Sequence, residues 1–364
     1  MKKLLWLLAG IVVAVAIAVL VPPVRNQLIA LTLPDFPDWP APTRTLSAEA
    51  EGPIYFESAS PFDLAVIYDG MRHATPTTGL GYLSYPDSRA PSPAMILLPG
   101  SGGIAEGREH EYAEVLNAAG FAAFVVEYYA PRGVGDETNY LIRTASVTEF
   151  DLITDAYAAL KLLSTSPRID PQRIGVMGFS YGGMAARLAM DERIRQVLAP
   201  DLEGFAAHID VYGPCFQNLQ TEATNGAPLL TQRGTEDASN ELAACAKREA
   251  ELTQLGVEVE AVIYEGAGHA WENAEPATFR EESPYVAGCE WTYDEEGFAA
   301  VNGEPLGRYP VDTSRAARIG ARLSSGAQLG ACVGYGYIVG RNEAVREQAY
   351  SDALSFLQRT IGQP

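Results

Sequence analysis

The sequence predicts an α/β fold with a mostly parallel sheet that helices cover on both faces. Short apolar or β-branched runs alternate with helical patterns along most of the chain, the order expected of parallel strands joined by crossover helices. Of the 364 residues, 47% are hydrophobic and 20% are charged, so the chain can bury a sizeable core. In such folds the chemistry gathers outside the carboxyl ends of the strands.

The predicted elements follow from the spacing of apolar residues. Strands are predicted at Gly79–Tyr85, Ala94–Leu98, Phe121–Tyr128, Arg173–Met177, Ala206–Tyr212, Pro228–Gln232 and Val257–Tyr264. Helices are predicted at Glu111–Ala119, Glu149–Ser164, Tyr181–Met190, Asn240–Leu255 and Val345–Ile361.

One stretch, residues 272–335, breaks this alternation and is predicted to be an insertion before the last helix. We expect irregular structure there, with a hairpin around Asn302-Gly303, a dipeptide that favours two-residue β-turns. Cys289 and Cys332 bracket most of the stretch. Two roles remain open for it at this point, a cap over the functional site and a stabilising flap away from the chemistry.

The N-terminus has the features of a membrane segment. Lys2 and Lys3 precede an unbroken apolar run from Leu4 to Val21, which is close to the roughly 20 residues that cross a bilayer. We predict an uncleaved anchor at 1–22, a Pro-rich linker at 23–50 and a folded domain at 51–364. By the positive-inside rule the two lysines stay on the cytoplasmic side, so the domain is predicted to lie outside the cytoplasm. The alternative is a cleaved signal peptide ending near Ala16-Ile17-Ala18.

The net charge and the cysteine content limit which partners and ligands can be expected. The net charge of −20 excludes nucleic acid, because binding to phosphates needs clustered Lys and Arg. No Cys pair or nearby His has the spacing of metal ligands, so neither a metal nor a cofactor is predicted. The cysteines fit an oxidising compartment and two disulfides, with free buried thiols as the alternative. They are Cys215, Cys245, Cys289 and Cys332.

The strongest local signal is the segment Gly178–Gly182, which reads Gly-Phe-Ser-Tyr-Gly. A predicted strand runs into it and a predicted helix runs out of it. This context is typical of a nucleophile elbow, in which Ser180 occupies a strained turn and the small residues on either side permit close packing. The alternative is a glycine-rich packing turn.

A serine nucleophile needs a base, and the chain contains only the four histidines His73, His110, His208 and His269. In α/β-hydrolases the order along the chain is serine, acid, histidine, which leaves the last two. His208 lies inside a predicted strand. His269 follows the strand Val257–Tyr264 in a glycine-containing loop, so it is the predicted base.

The acid is expected after the preceding strand, Pro228–Gln232. Asp237 is the predicted partner of the second ring nitrogen of His269, with Glu236 as its rival and Asp210, inside the earlier strand, as a weaker one.

The tetrahedral oxyanion needs two backbone donors. The amide of Tyr181, directly after the serine, is the first. The second is predicted in the loop Pro99–Ile104, from Gly102 or Gly103, because glycines let an amide point into a site.

Together these motifs resemble the dienelactone hydrolase-like branch of the α/β-hydrolases, with prolyl-oligopeptidase-type relatives. The resemblance covers about residues 80–275 and the last helix. It is carried by Leu97–Gly103, Ala130–Val134, Ile169–Ile174, Gly178–Ser180 and Gly266–Trp271. True dienelactone hydrolases have a cysteine nucleophile where this chain has Ser180. The positions of Cys215 and Cys245 match a cysteine pair of exported relatives, so the resemblance implies a Cys215–Cys245 disulfide and leaves Cys289 for Cys332.

The function predicted from these residues is that of a serine hydrolase, which cleaves carboxylic esters of a small-molecule substrate through an acyl-enzyme. A peptidase or amidase would use the same residues. A non-catalytic envelope protein that binds ligands on a hydrolase fold is the rival from another class. The sequence does not predict the oligomeric state.

Overall fold

The structure is a computed structural model. It describes residues 36–362 except 136 and 325, together with 6, 10–11, 13–17, 21, 24–25, 28 and 32–33. Much of the predicted anchor and of the first half of the predicted linker therefore lies outside the described residues. Among those that are described, no helix has both the length and the apolarity needed to cross a bilayer. Later in the predicted linker, the Thr43 amide donates to the Tyr55 carbonyl at 2.8 Å.

An eight-stranded sheet forms the centre of the molecule, in the order β1-β2-β4-β3-β5-β6-β8-β9. The strands are β1 (Gly52–Ser60), β2 (Thr75–Ser84), β3 (Ser92–Leu98), β4 (Ala122–Glu127), β5 (Ile169–Phe179), β6 (His208–Val211), β8 (Leu229–Gly234) and β9 (Val259–Tyr264). β2 pairs antiparallel with both β1 and β4. From β4 onward in the order of the sheet, every pair of neighbouring strands is parallel. The predicted mostly parallel α/β fold is confirmed.

Helices cover both faces of this sheet. They are α1 (Leu64–Tyr68), α2 (Glu109–Ala118), α3 (Tyr140–Ser146), α4 (Glu149–Leu163), α5 (Tyr181–Leu188), α6 (Glu192–Leu198), α7 (Leu242–Gln254) and, near the end of the chain, α10 (Glu343–Thr360). The predicted helices agree with α2, α4, α5, α7 and α10 to within a few residues at each end.

The core is divided between the two faces of the sheet. Ile96 and Leu98 of β3 belong to one hydrophobic cluster, whereas Met95 and Leu97 belong to another, because successive side chains of a strand point to opposite faces. Helix α4 is buried along nearly its whole length, and Thr148 begins it with a capping box that also uses Asp151.

The stretch between β9 and α10 is more regular than predicted. It contains a ribbon of β10 (Thr278–Val286) with β14 (Val333–Val339), and a small sheet that joins β7 (Gln217–Asn218) to β11 (Trp291–Tyr293), β12 (Ala299–Val301) and β13 (Glu304–Pro305). Two helices, α8 (Arg315–Ser324) and α9 (Gly326–Leu329), precede β14. The expectation of irregular structure was wrong. β10 and β11 each pair with a strand distant in sequence, β14 and β7, whereas β12 pairs with its close neighbours β11 and β13.

The hairpin predicted within this stretch is present. β12 and β13 pair antiparallel, with Asn302 and Gly303 between them at φ of 50° and 80°. Positive φ at both positions is the conformation for which this dipeptide is suited.

Candidate active site

Ser180 lies between β5 and α5 in a strained conformation, with φ 55° and ψ −115°. The flanking glycines are required by close backbone approach. A Cβ on Gly178 would lie 1.9 Å from the Gly182 carbonyl oxygen, and one on Gly182 would lie 2.1 Å from the Leu98 carbonyl oxygen. The Ser180 amide donates to the Val211 carbonyl at 2.8 Å, which ties the turn to β6. The sequence thus forms the tight strand-to-helix turn that the motif predicts.

His269 reaches Ser180 from the loop after β9. Its Nε2 lies 2.8 Å from Ser180 Oγ, and its Nδ1 lies 2.6 Å from Asp237 Oδ2. Since Nδ1–H donates to the carboxylate, Nε2 is left as an acceptor for the serine hydroxyl. The His269 amide donates to the Ile338 carbonyl at 2.7 Å, so β14 fixes the position of the loop that carries His269.

The Asp237 carboxylate is buried and receives four donors. Oδ1 accepts from the Ser239 amide at 3.0 Å and from its hydroxyl at 2.6 Å. Oδ2 accepts from Asn240 Nδ2 at 2.7 Å as well as from His269. Asn240 is held in turn by Arg233, whose Nη1 donates to Asn240 Oδ1 at 2.6 Å. These four hydrogen bonds fix the direction of the carboxylate.

The rival residues are engaged elsewhere or exposed. His208 Nδ1 donates to the Ala186 carbonyl at 2.8 Å, and burial lowers the pKa of this imidazole to about 4. Asp210 accepts from Arg233 Nη2 at 2.9 Å. Glu236 is exposed to solvent. Of the candidates weighed from the sequence, the structure brings together Ser180 and the predicted base and acid.

The carbonyl groups of the loop after β3 accept hydrogen bonds from side chains that lie outside this loop. Tyr128 donates to the Gly100 carbonyl at 3.0 Å, and Tyr129 donates to the Ser101 carbonyl at 2.9 Å. Further along, Arg143 Nη1 donates to the Gly102 carbonyl at 2.9 Å and Arg108 Nη2 donates to the Gly103 carbonyl at 3.0 Å. With each carbonyl held in this way, the peptide planes of the loop have fixed orientations.

The two glycines predicted as oxyanion donors differ in what surrounds them. The Gly103 amide donates to the Gly100 carbonyl at 2.9 Å, so it is already used in a turn. Neither Gly102 nor Gly103 lines the cavity next to Ser180, whereas Ser101 does. Tyr181 begins α5, and the first amides of a helix have no acceptor within it.

A pocket of about 270 Å³ opens over Ser180 and His269. Part of its wall comes from the stretch 272–335, through Pro284, Tyr285, Val286, Arg322 and Val333, with Tyr337 just beyond. The central domain contributes the remaining lining, Ser101, Tyr140, Thr144, Tyr181, Pro214, Phe216 and Ser239. The predicted insertion thus borders the candidate site.

A buried polar cluster lies beside the elbow. The Tyr181 hydroxyl donates to Glu149, and Gln217 Nε2 donates to Glu149 Oε1 at 2.6 Å. Arg322 Nη2 lies 3.5 Å from Glu149 Oε2. Burial alone would raise the pKa of Glu149, but the charge of Arg322 and the two hydrogen bonds outweigh it and lower the pKa. An ionised carboxylate therefore links the elbow to α8.

The structure pairs Cys215 with Cys245 and Cys289 with Cys332, the pairing that the resemblance implies. The alternative of free thiols is not what the structure has. Two disulfides indicate an oxidising compartment. Among the residues that the structure describes, no group of three or more His, Cys, Asp or Glu side chains could hold a metal ion.

Sequence reasoning missed three residues of the site. Ser239 and Asn240 follow the acid at two and three positions, the spacing at which local turns return donors to an Asp side chain, so this signal was readable. Ser101 carried no comparable signal, because the direction of its amide depends on side chains distant in sequence.

Comparison with known proteins identifies the family of this chain. The family model of the dienelactone hydrolases matches residues 80–299. A Bradyrhizobium protein that carries the name of a 2-oxo-3-(5-oxofuran-2-ylidene)propanoate lactonase is 28% identical over 222 residues, which are 58% of this chain and 85% of that protein. A thiohydrolase of Arthrinium phaeospermum is 32% identical over 114 residues, 31% of this chain and 36% of the thiohydrolase. A solved esterase of Thermogutta terrifontis with bound propionate has a TM-score of 0.42 and 19% identity, covering 53% of this chain and 80% of the esterase. The chain belongs to the dienelactone hydrolase family of ester-hydrolysing enzymes.

Proposed function

We propose that this protein hydrolyses small carboxylic esters through an acyl-enzyme on Ser180, with His269 as the base and Asp237 as the acid. The observation that carries the proposal is the continuous hydrogen-bonded path from Ser180 Oγ to His269 at 2.8 Å and on to Asp237 at 2.6 Å. It stands at the carboxyl end of the sheet and opens to a pocket, which is where substrate can reach it.

In the proposed mechanism, Ser180 Oγ attacks the ester carbonyl while its proton passes to His269 Nε2. Asp237 stabilises the imidazolium that forms, and the three other donors around its carboxylate keep it aimed at Nδ1. His269 then protonates the leaving alcohol. A water molecule, deprotonated by the same nitrogen, releases the acid from the acyl-enzyme.

The proposed oxyanion donors are the amides of Tyr181 and Ser101. Ser101 is preferred to the two glycines because it borders the pocket beside Ser180 and because the Gly103 amide is used in a turn. The Ser101 amide belongs to the same peptide group as the Gly100 carbonyl, which accepts from Tyr128 at 3.0 Å, so this amide needs no reorganisation as charge develops. One donor of this kind contributes about 10²–10³ in rate.

The bond type is proposed to be an oxygen ester. The named activities of the two curated relatives concern a lactone and a thio compound, and acyl transfer at either kind of carbonyl would use the same serine and oxyanion donors. The departure from the family's cysteine nucleophile to Ser180 makes the base essential, since a serine hydroxyl is a weak nucleophile without one.

Hydrolysis of p-nitrophenyl esters of increasing acyl length tests this function. We expect turnover by the wild type and losses of at least about 10⁴-fold in kcat for Ser180→Ala and for His269→Gln. Glu236→Gln is the matched control, because this exposed neighbour of the acid should leave kcat unchanged. Folded wild-type protein without esterase activity, or Ser180→Ala protein as active as the wild type, would overturn the proposal.

We also propose that the domain acts outside the cytoplasm, attached through residues 1–22. The support is the basic and apolar start of the sequence together with the two disulfides. Protease treatment of intact spheroplasts should remove the domain and leave a small membrane-bound fragment. Recovery of the full-length protein in the cytosolic fraction, with free thiols, would contradict this location.

A further inference from the structure

The N-terminal segment reaches the domain at α8, the helix whose Arg322 lines the active-site pocket. The Val21 amide donates to the Ile17 carbonyl at 2.9 Å, and the Arg25 amide donates to the Val21 carbonyl at 3.0 Å, which is the hydrogen-bond spacing of an α-helix. Arg25 Nη2 in turn donates to the Gly320 carbonyl of α8 at 3.3 Å. A short path thus leads from the predicted anchor to a helix that borders the active site.

The apolar part of this segment is not covered by the domain. Every residue that the structure describes between Trp6 and Val21 is exposed, including Ile11, Val13 and Ile17. A run of exposed apolar side chains marks a contact with a membrane or a protein. The bilayer of the proposed attachment supplies this contact, because its hydrocarbon core is itself apolar.

The chain that follows is not a free spacer. The Arg315 guanidinium lies over the Phe36 ring, 4.6 Å from its centre, and Trp39 packs edge-on against Tyr55 of β1 with ring centres 5.2 Å apart. Together with the Arg25 contact, these interactions hold the linker against the domain at both of its ends. A linker held in this way fixes which face of the domain lies next to the anchor, whereas an unattached one would let the domain turn.

The position of Arg25 brings α8 to the level of the lipid headgroups. Three residues separate Arg25 from the end of the predicted anchor at residue 22, and three residues span at most roughly 11 Å. The headgroup layer on one side of a bilayer is roughly 5–8 Å thick, half the difference between the whole membrane and its hydrocarbon core. Gly320, which accepts from Arg25, is therefore next to the membrane surface when the anchor is inserted.

The rim of the active-site pocket beside α8 carries exposed apolar side chains. Leu323 of α8 is 48% exposed, and Tyr140 and Ile142 of α3 are 47% and 48% exposed. The two helices are neighbours, because Arg315 Nη2 donates to the Ser146 carbonyl at 3.3 Å. Tyr140 also lines the pocket, and tyrosine is a side chain that prefers the interface between lipid and water. We call Tyr140, Ile142 and Leu323 the apolar rim.

We propose that the apolar rim docks on the lipid surface of the membrane that holds the anchor, so that the active-site pocket takes up an ester dissolved in the bilayer. The net charge of −20 opposes approach to an anionic surface, so apolar contact provides the attraction and a zwitterionic lipid surface is the fitting partner. This inference rests on the proposed function and on the proposed attachment through residues 1–22.

Fluorescent labels test the docking independently of catalysis. Since the four native cysteines form disulfides, a cysteine introduced into the full chain can be labelled alone. In phosphatidylcholine vesicles that contain lipid with a spin-labelled headgroup, labels at Ile142→Cys and Leu323→Cys should be quenched at least about threefold more than a label at Ile263→Cys. Ile263 is the matched control, because it is 56% exposed but lies on β9, at the edge of the sheet opposite to β1. Equal quenching at the three positions would overturn the proposal.

Uptake from the bilayer is tested with two acetates that differ only in the alcohol. Hexadecyl acetate stays in the vesicle membrane, whereas ethyl acetate is dissolved in water. Ile142→Asp combined with Leu323→Asp should lower the hydrolysis of hexadecyl acetate at least about tenfold and leave that of ethyl acetate within about twofold, because neither residue lines the pocket. Ile263→Asp should change neither rate. An equal loss on both acetates, or no loss on either, would contradict uptake from the bilayer, as would wild-type protein that hydrolyses ethyl acetate alone.

The two experiments separate the docking from the function on which it rests. Strong quenching at residues 142 and 323 in wild-type-like protein that hydrolyses neither acetate would refute the proposed function and keep the docking. Turnover of ethyl acetate without this quenching would refute the docking and keep the function. A full chain that does not float with the vesicles in a density gradient would refute the attachment, and the docking with it.

Discussion

Asn240→Ala should impair catalysis by loosening the acid. The substitution removes the Nδ2 donor that lies 2.7 Å from Asp237 Oδ2, leaving His269 alone on that oxygen. A hydrogen bond to a charged group contributes about 1.5–3 kcal/mol. If all of this free energy is lost in the transition state, in which the imidazolium forms, kcat/KM falls by about ten- to a hundredfold.

Ser239→Ala is the matched control for this change. It removes the hydroxyl donor at 2.6 Å from Asp237 Oδ1, but the backbone amide of residue 239 remains on the same oxygen at 3.0 Å. A smaller loss of about two- to tenfold is expected, because Asp237 Oδ2, the oxygen that faces His269, keeps both of its donors.

The assay for both variants is kcat/KM on a p-nitrophenyl ester, together with the free energy of unfolding in urea. Asn240 also donates to the Tyr212 carbonyl at 2.8 Å and accepts from Arg233, so a loss of stability accompanies the loss of activity. Folded Asn240→Ala protein that is as active as the wild type, or more active than Ser239→Ala, would refute the role assigned to this donor.

Three further predictions concern stability and the oxyanion loop. Because the pKa of His208 is lowered to about 4 in the folded protein, the unfolded chain binds one more proton than the folded chain between pH 6.5 and 4. As the pH falls through this range, the free energy of unfolding of the wild type should decrease by up to about 3 kcal/mol relative to that of His208→Asn, as measured in urea. An equal pH dependence in both proteins would contradict this. Replacing Cys289 and Cys332 with Ser removes a disulfide between residues 43 positions apart, and should lower the free energy of unfolding by about 2–4 kcal/mol. An unchanged midpoint of urea unfolding would contradict this prediction. Tyr128→Phe releases the Gly100 carbonyl, which belongs to the same peptide group as the Ser101 amide, and should lower kcat by about three- to tenfold with KM unchanged; an unchanged kcat would contradict this role of Tyr128.

The parts of the fold that the sequence predicts are those with strong local patterns. β3 contains the continuous apolar run Ala94–Leu98, and α4 has regular helical spacing behind a capping threonine, so both can be predicted without tertiary information. Ser180 is recognisable because the steric demands of its turn require glycine at fixed positions. His269 and Asp237 followed from their places after β9 and β8.

The elements that escaped prediction depend on distant partners. β1 is an edge strand with serines and glutamate in it, and it is strand only through its pairing with β2. β14 contains Gly334 and Gly336, which have low strand propensity, and it is held by β10 about fifty residues earlier in the chain. The orientation of the Ser101 amide was equally hidden, since Tyr128, distant in sequence, holds the Gly100 carbonyl of the same peptide group.

The most direct test of the central claim is the site of covalent modification by a fluorophosphonate. Reaction at phosphorus mimics attack on an ester carbonyl and requires a serine activated by its base. The account predicts a single added group, located by peptide mass spectrometry on Ser180, with no labelling of Ser180→Ala protein and slow labelling of His269→Gln protein. Unmodified wild-type protein that is fully folded, or Ser180→Ala protein labelled at the wild-type rate, would contradict it.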